Sequence, residues 1–201
     1  NYIFTTDEQG GAFVTSYNSE DLGNIFELDR IQTNPGSNSI PHNAFVDGNF
    51  LVTSYYTNGT IVYDITYPDK MVEVAYYDSY LGSGWGFYGC WGTYPYLPSG
   101  NIISSDVNSA SNGGGKLLIY SREFQQACHL DGIITDQNSG NFINNANISV
   151  LNTNFSSNSN LNGFYQTATL DSGLYQVVFS AFGYENDTCL LYTSDAADEE
   201  D

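Results

Sequence analysis

The sequence predicts an almost entirely β chain, a partial β-propeller of about three blades followed by a small antiparallel β-sandwich. Three observations lead there. Short apolar runs alternate with Gly, Asn, Asp and Ser turn signals along the whole chain. Helix formers are scarce, whereas Tyr, at 17, is abundant. A unit of about four strands also recurs with a period in the forties, which is the pattern of propeller blades rather than of a sandwich.

The clearest unit runs from Ile40 to Tyr77. Asp47-Gly48 and Asn58-Gly59 mark tight hairpins, because such turns need the positive φ that these residues supply. They separate strands at Ala44–Val46, Phe50–Ser54 and Thr60–Tyr63, and the alternating run Val72–Tyr76 closes the set. The register repeats: Tyr17 lies 46 residues before Tyr63, Glu27-Leu28 lies 46 before Glu73-Val74, and Gly36-Ser37 lies 46 before Gly82-Ser83. A third copy begins where Ile102–Asp106 echoes Ile3–Asp7, and continues through a longer hairpin at Asn112–Gly115 to Lys116–Tyr120.

In chain order, Tyr2–Ile31 forms most of the first blade, with its turn at Glu8–Gly11. Asn34–Asn38 and Leu81–Gly84 are equivalent loops between blades. The uncharged aromatic and glycine-rich run Trp85–Gly92 follows, and Tyr94–Gly100 turns into the third blade. The blades are expected to fill residues 1–127. Three are too few to close a ring of about four to eight, and Asn1 is neither an initiator Met nor the start of a signal peptide, so earlier blades are expected upstream. No apolar run approaches the roughly 20 residues of a membrane helix.

From Leu130 the pattern changes. Gly132–Asp136, Ala146–Val150, Asn162–Tyr165 and Gly173–Phe179 are separated by glycine-marked turns. Ala146, Ile148 and Val150 face one way while Asn147 and Ser149 face the other, as in a half-buried strand. A sandwich is expected over 128–188. Residues 189–201 break off a β pattern and run into acid, so they are expected to be a non-native or disordered tail with no packing. The strands that complete the sandwich are then missing.

The charge balance is 4 basic against 23 acidic residues, a net of −19. Nucleic acid is excluded as a partner, because phosphate neutralisation needs a basic face. Anionic membrane surfaces are disfavoured for the same reason. Asp7-Glu8 and Asp69 sit in loops where calcium is possible, although no EF-hand pattern is present. Setting aside Cys189 with the tail, Cys90 and Cys128 remain, either as a disulfide or as two buried thiols. No Cys/His cluster points to zinc.

Candidate binding residues are His42 and Asn43, at the start of a strand, and Trp85, Tyr88 and Trp91. Together with Phe87 these rings would make a stacking platform for a glycan or protein. Alternating Gly and aromatic residues equally fill the tapered contact between blades, and that packing reading is preferred. No catalytic constellation is found: there is no G-x-S-x-G elbow, and His42 and His129 fall in different structural units. The position 46 residues after His42 is Tyr88, so no ring of histidines forms. The sequons at Asn58, Asn147, Asn154 and Asn186 are expected by chance in so Asn-rich a chain.

HNAFV at 42–46, YDI with a following Pro at 63–68, and GCWGTYPYLPSGNIISSD at 89–106 resemble the choice-of-anchor B family, exported bacterial proteins with LVIVD-type propeller repeats. The resemblance covers about the first 125 residues. It implies a secreted or surface-attached protein without established catalytic activity. The region from Leu130 resembles the carboxypeptidase regulatory-like domain, a prealbumin-type sandwich that acts as an accessory module. The function expected is non-enzymatic binding, adhesion or display at the cell surface, toward an extracellular protein or glycan and without a cofactor. The alternatives are a calcium-dependent propeller hydrolase of lactonase or esterase type, and the accessory region of an extracellular metallopeptidase.

Overall fold

The computed structural model describes residues 1–82, 84–107 and 114–193. Among the described residues there are sixteen β-strands and no helix. The chain divides into two compact units, Asn1–Gln125 and Gln126–Asp201.

The first unit contains three separate antiparallel sheets, each a simple meander. The first sheet is β1 (Tyr2–Thr6), β2 (Val14–Asn18) and β3 (Phe26–Ile31). The second is β4 (Ala44–Asp47), β5 (Phe50–Ser54), β6 (Thr60–Asp64) and β7 (Val72–Tyr77). The third is β8 (Gly89–Tyr94), β9 (Ile102–Val107) and β10 (Lys116–Tyr120). None of the sheets closes on itself. The turn glycines act as expected. Gly59 has φ 84°, and a Cβ there would lie 2.0 Å from the Tyr77 carbonyl oxygen, so no other residue fits. Part of the Asn112–Gly115 hairpin lies outside the described residues.

The sequence register reappears as hydrogen-bonded geometry. The β2–β3 pairs Val14–Ile31, Thr15–Arg30, Ser16–Asp29, Tyr17–Glu27 and Asn18–Phe26 correspond to the β6–β7 pairs Thr60–Tyr77, Ile61–Tyr76, Val62–Ala75, Tyr63–Glu73 and Asp64–Val72, 46 residues later at both ends. The β-bulge between Ser16 and Tyr17 recurs between Val62 and Tyr63. By this correspondence β1, β2 and β3 are counterparts of β5, β6 and β7.

The sheets pack face to face, and the second is covered on both sides. Leu51, Tyr55, Ile61 and Tyr63 meet Val14 of the first sheet, flanked by Phe4 and Ile31. The alternate residues Val52 and Val62 meet Ile102 of the third. Side chains on a strand point alternately to opposite faces, so β6 is buried along its whole length. Each such apolar side chain contributes roughly 1.5–3 kcal/mol relative to exposure. Polar links cross the same gaps. The Asp29 carboxylate accepts from the Met71 N–H at 2.7 Å, and Thr60 Oγ1 lies 2.7 Å from Ser104 Oγ.

The second unit is a sandwich. Strands β11 (Cys128–Ile133) and β14 (Phe164–Thr169) pair to form one layer. The other has the order β13-β12-β15-β16, from β12 (Asn147–Val150), β13 (Ser156–Asn158), β15 (Gly173–Ser180) and β16 (Asp187–Thr193). Its core joins Ile148, Val150 and Val177 of the four-stranded layer to Tyr165 of the two-stranded one. Strand β12 alternates as expected, with Ile148 and Val150 buried and Asn147 and Ser149 half-buried.

One expectation is corrected. Cys189–Thr193 is not an unpacked tail: it belongs to β16, which pairs with β15 from Gly173–Thr193 to Phe179–Asp187. Cys189 and Leu191 pack on the sandwich core, because they fall on its inward face. The remainder of the expected tail, 194–201, lies outside the described residues. Of the two alternatives left open for Cys90 and Cys128, the structure has the buried free thiols. Cys90 is buried between the second and third sheets, where it lies 3.4 Å from Thr60 Oγ1.

Candidate functional site

The three sheets of the first unit converge at one end on a small polar cluster ringed by aromatic residues. Glu8 follows β1, His42 and Asn43 lead into β4, Tyr56 sits in the β5–β6 turn, and Trp91 belongs to β8. The turn is pinned to β8 by a two-way bridge, Tyr56 N–H to Cys90 C=O at 3.0 Å and Cys90 N–H to Tyr56 C=O at 2.9 Å. That closeness requires glycine at 89, where φ is 82° and a Cβ would lie 2.5 Å from the Tyr56 carbonyl oxygen. Tyr56 itself has φ 35°, unusual for an aromatic residue, so its surroundings hold it there.

Trp91 is the extra residue of a β-bulge, since Cys90 pairs with Asp106 and Gly92 with Ser105. A bulged residue leaves the ladder, which leaves the Trp91 carbonyl to face His42 Nδ1 at 2.5 Å and to accept from Asn43 Nδ2 at 3.4 Å. The Trp91 ring stacks on the imidazole with centroids 5.5 Å apart and planes 28° from parallel. On the other side of the imidazole, Nε2 lies 3.4 Å from Glu8 Oε1. The same oxygen accepts the Tyr56 hydroxyl at 2.5 Å. Burial, reinforced by the hydrogen bond and the charge of Glu8, raises the Tyr56 phenol well above its ordinary value, so it remains a donor. Thr6 Oγ1 holds the His42 carbonyl at 2.5 Å.

Around this cluster the rings are half-exposed: Trp85 57 %, Phe87 55 %, Trp91 52 % and Tyr88 45 %. The packing preferred from sequence takes up only part of each ring. Phe87 stands edge-on to Tyr56 with centroids 5.2 Å apart, Tyr88 stacks on Tyr80, and Trp85 lies against Gly10, where a Cβ would sit 3.5 Å from its ring. Of the residues singled out from sequence, His42, Asn43 and Trp91 touch one another, while Trp85 and Tyr88 contact other partners. Glu8 and Tyr56 are site residues that the sequence does not mark as such. Its pattern offers Glu8 only as a calcium-loop acid, and a tyrosine beside a turn carries no sequence signal of its own.

The arrangement presents a carboxylate, an imidazole, an amide and flat apolar rings on one surface, a combination suited to hydrogen bonding hydroxyls while stacking on a ligand's apolar face. Among the described residues no group of three or more His, Cys, Asp and Glu side chains is placed to hold a metal ion.

Residues 130–198 match the CarboxypepD_reg-like domain. The match runs through β16, in keeping with the pairing of that strand inside the sandwich. The CarboxypepD_reg-like domain is a common accessory domain, and the matched part of this chain is a β-sandwich. No curated protein and no solved structure matches the chain.

Proposed function

We propose that this is a non-enzymatic, exported or cell-surface binding protein. In this reading the stacked sheets belong to a propeller of the choice-of-anchor B kind, and the CarboxypepD_reg-like domain is their accessory module. Support for the propeller comes from the 46-residue register of β2–β3 and β6–β7 and from a sheet buried on both faces, the packing of a blade between two others. The observation that carries the binding function is the group of half-exposed rings set around Glu8, His42 and Asn43. Rigid aromatic surface costs little entropy on binding, and the net charge of −19 directs the choice toward uncharged ligands such as neutral glycans or polar protein surfaces. Titration with a panel of neutral oligosaccharides is expected to give saturable binding that Trp91→Ala weakens at least tenfold, about 1.4 kcal/mol. Absence of binding across the panel, or binding indifferent to Trp91 and Trp85, contradicts the glycan assignment.

A second reading, a calcium-dependent propeller hydrolase, draws on His42 and Glu8 lying 3.4 Å apart at this end. Stoichiometric calcium binding, with turnover of ester or lactone substrates abolished by His42→Ala, would establish it in place of the first.

A further inference from the structure

The second unit carries none of the chain's Lys and Arg residues: Arg30, Lys70, Lys116 and Arg122 all fall in the first. Its acids therefore have no Lys or Arg partner within their own unit, and three of them gather at one opening. At the end of the sandwich where β11 stops, β14 starts and β15 turns into β16, a cavity of about 770 Å³ is lined from both layers. Asp136, just past β11, stands on it together with Glu185 of the turn and Asp187 at the start of β16. Ala146, Tyr165 and Phe179 supply apolar wall, with Tyr165 edge-on to Phe179 at 5.5 Å between centroids.

Two features separate this cavity from ordinary acidic surface. Tyr165 lines it and is only 7 % exposed, yet among the described residues its hydroxyl has no hydrogen-bond partner. A buried hydroxyl is costly to leave unpaired. Asp136 is held ionised, because its carboxylate accepts from the Ser139 hydroxyl and from the Ser139 N–H, each at 2.7 Å, which keeps it below the ordinary carboxylate range.

We propose that this cavity binds a free aliphatic polyamine, its ammonium groups paired with Asp136, Glu185 and Asp187 and its methylene chain lying against Tyr165 and Phe179. Carboxylates accept charge-assisted hydrogen bonds from ammonium groups, aromatic faces attract cations, and the Tyr165 hydroxyl can accept one hydrogen bond more. Three carboxylates call for more than one positive charge. Among the described residues no three acids converge closely enough to hold a metal ion, so the charges that match them are spread along a chain. The volume lies within the roughly 300–1,000 Å³ of small-molecule sites, which suits a free molecule. The site belongs to the second unit and does not rest on the glycan binding proposed for the first.

Calorimetric titration of the full chain with spermidine provides the test, at about 0.15 M salt so that the diffuse negative charge of the chain is screened. One saturable site is expected. Glu185→Gln combined with Asp187→Asn, both at exposed positions, is expected to weaken it at least tenfold. Tyr165→Phe is expected to weaken it at least threefold with thermal stability retained, since the hydroxyl has no partner in the protein to lose. Glu20→Gln combined with Asp21→Asn removes the same charge from exposed positions of the first unit and is expected to change the affinity less than twofold. Absence of a saturable site, equal losses in the two double variants, or unchanged affinity in Tyr165→Phe overturns the proposal. Tighter binding of a lysine-bearing peptide than of spermidine also overturns it, by making the ligand a protein side chain.

Discussion

The second sheet of the first unit and the four-stranded layer of the second unit solve the burial problem differently. In β6 every residue from Thr60 to Asp64 is buried, whereas in β12 burial alternates, Ile148 and Val150 in, Asn147 and Ser149 half out. A layer with one core tolerates water on its other face, but a layer between two others does not. Polar residues in the middle sheet therefore need partners inside the protein, and Thr60, Cys90 and Ser104 find one another there. Alternation thus reports a single-sided sheet, while a mixed polar and apolar run such as Thr-Ile-Val-Tyr-Asp reports a sheet stacked on both sides.

The largest test of this contrast pairs two core truncations. Tyr63→Ala removes a fully buried ring from the stack and Ile148→Ala a fully buried chain from the sandwich. Costs of about 3–5 and about 2–5 kcal/mol are expected. Denaturant unfolding followed by hydrogen exchange should assign the first loss to β1–β7 and the second to β11–β16. Loss of protection across both sets with either substitution would show that the two cores unfold as one.

Gly89→Ala sharpens the comparison at the candidate site. With φ 82° and the Tyr56 carbonyl in the way, the added methyl breaks the bridge between the turn and β8. A loss of about 1–3 kcal/mol is expected, with oligosaccharide binding falling alongside stability. Wild-type stability in this variant would show that the bridge is not a constraint.

A smaller effect should appear on raising the pH. Burial pushes the Cys90 thiol from 9.0 up to about 11, and the Tyr55 and Tyr120 phenols from 10.0 up to about 12. Because these folded-state values are raised, the stabilisation is complete below pH 9 and is lost as the pH climbs through about 11 to 12. Stack stability measured from pH 8 to 11 should fall, and native Cys90 should resist alkylation at pH 8 while the unfolded chain reacts at once. Prompt alkylation of native Cys90 contradicts its burial between sheets.

Much of the fold was legible because turns and registers are local. Asp47-Gly48 and Asn58-Gly59 placed β4 to β6 within a residue, and the spacing of Tyr17 and Tyr63 marked equivalent bulged strands. What failed to show depends on neighbours distant in sequence. An alternating Gly and aromatic run looks the same whether or not something covers it, so the exposure of Trp85 to Trp91 could not be read. An even count of cysteines does not separate a disulfide from two buried thiols, and Cys90 lies among hydroxyls. The acidic flank of β16 hid its inward residues Cys189 and Leu191. Of the site, His42 and Trp91 were visible as unusual residues, but the Trp91 bulge and the approach of Glu8 arise only when three sheets meet.

The most direct test of the stacked arrangement is a methyl and aromatic NOE spectrum of the first unit. Contacts from Leu51, Ile61 and Tyr63 should reach Val14 and Phe4, and those from Val52 and Val62 should reach Ile102, with the two sets kept apart by the second sheet. Cross-strand backbone contacts joining β3 to β4 or β7 to β8 in one continuous sheet, or a shared set of partners for both faces, would contradict it.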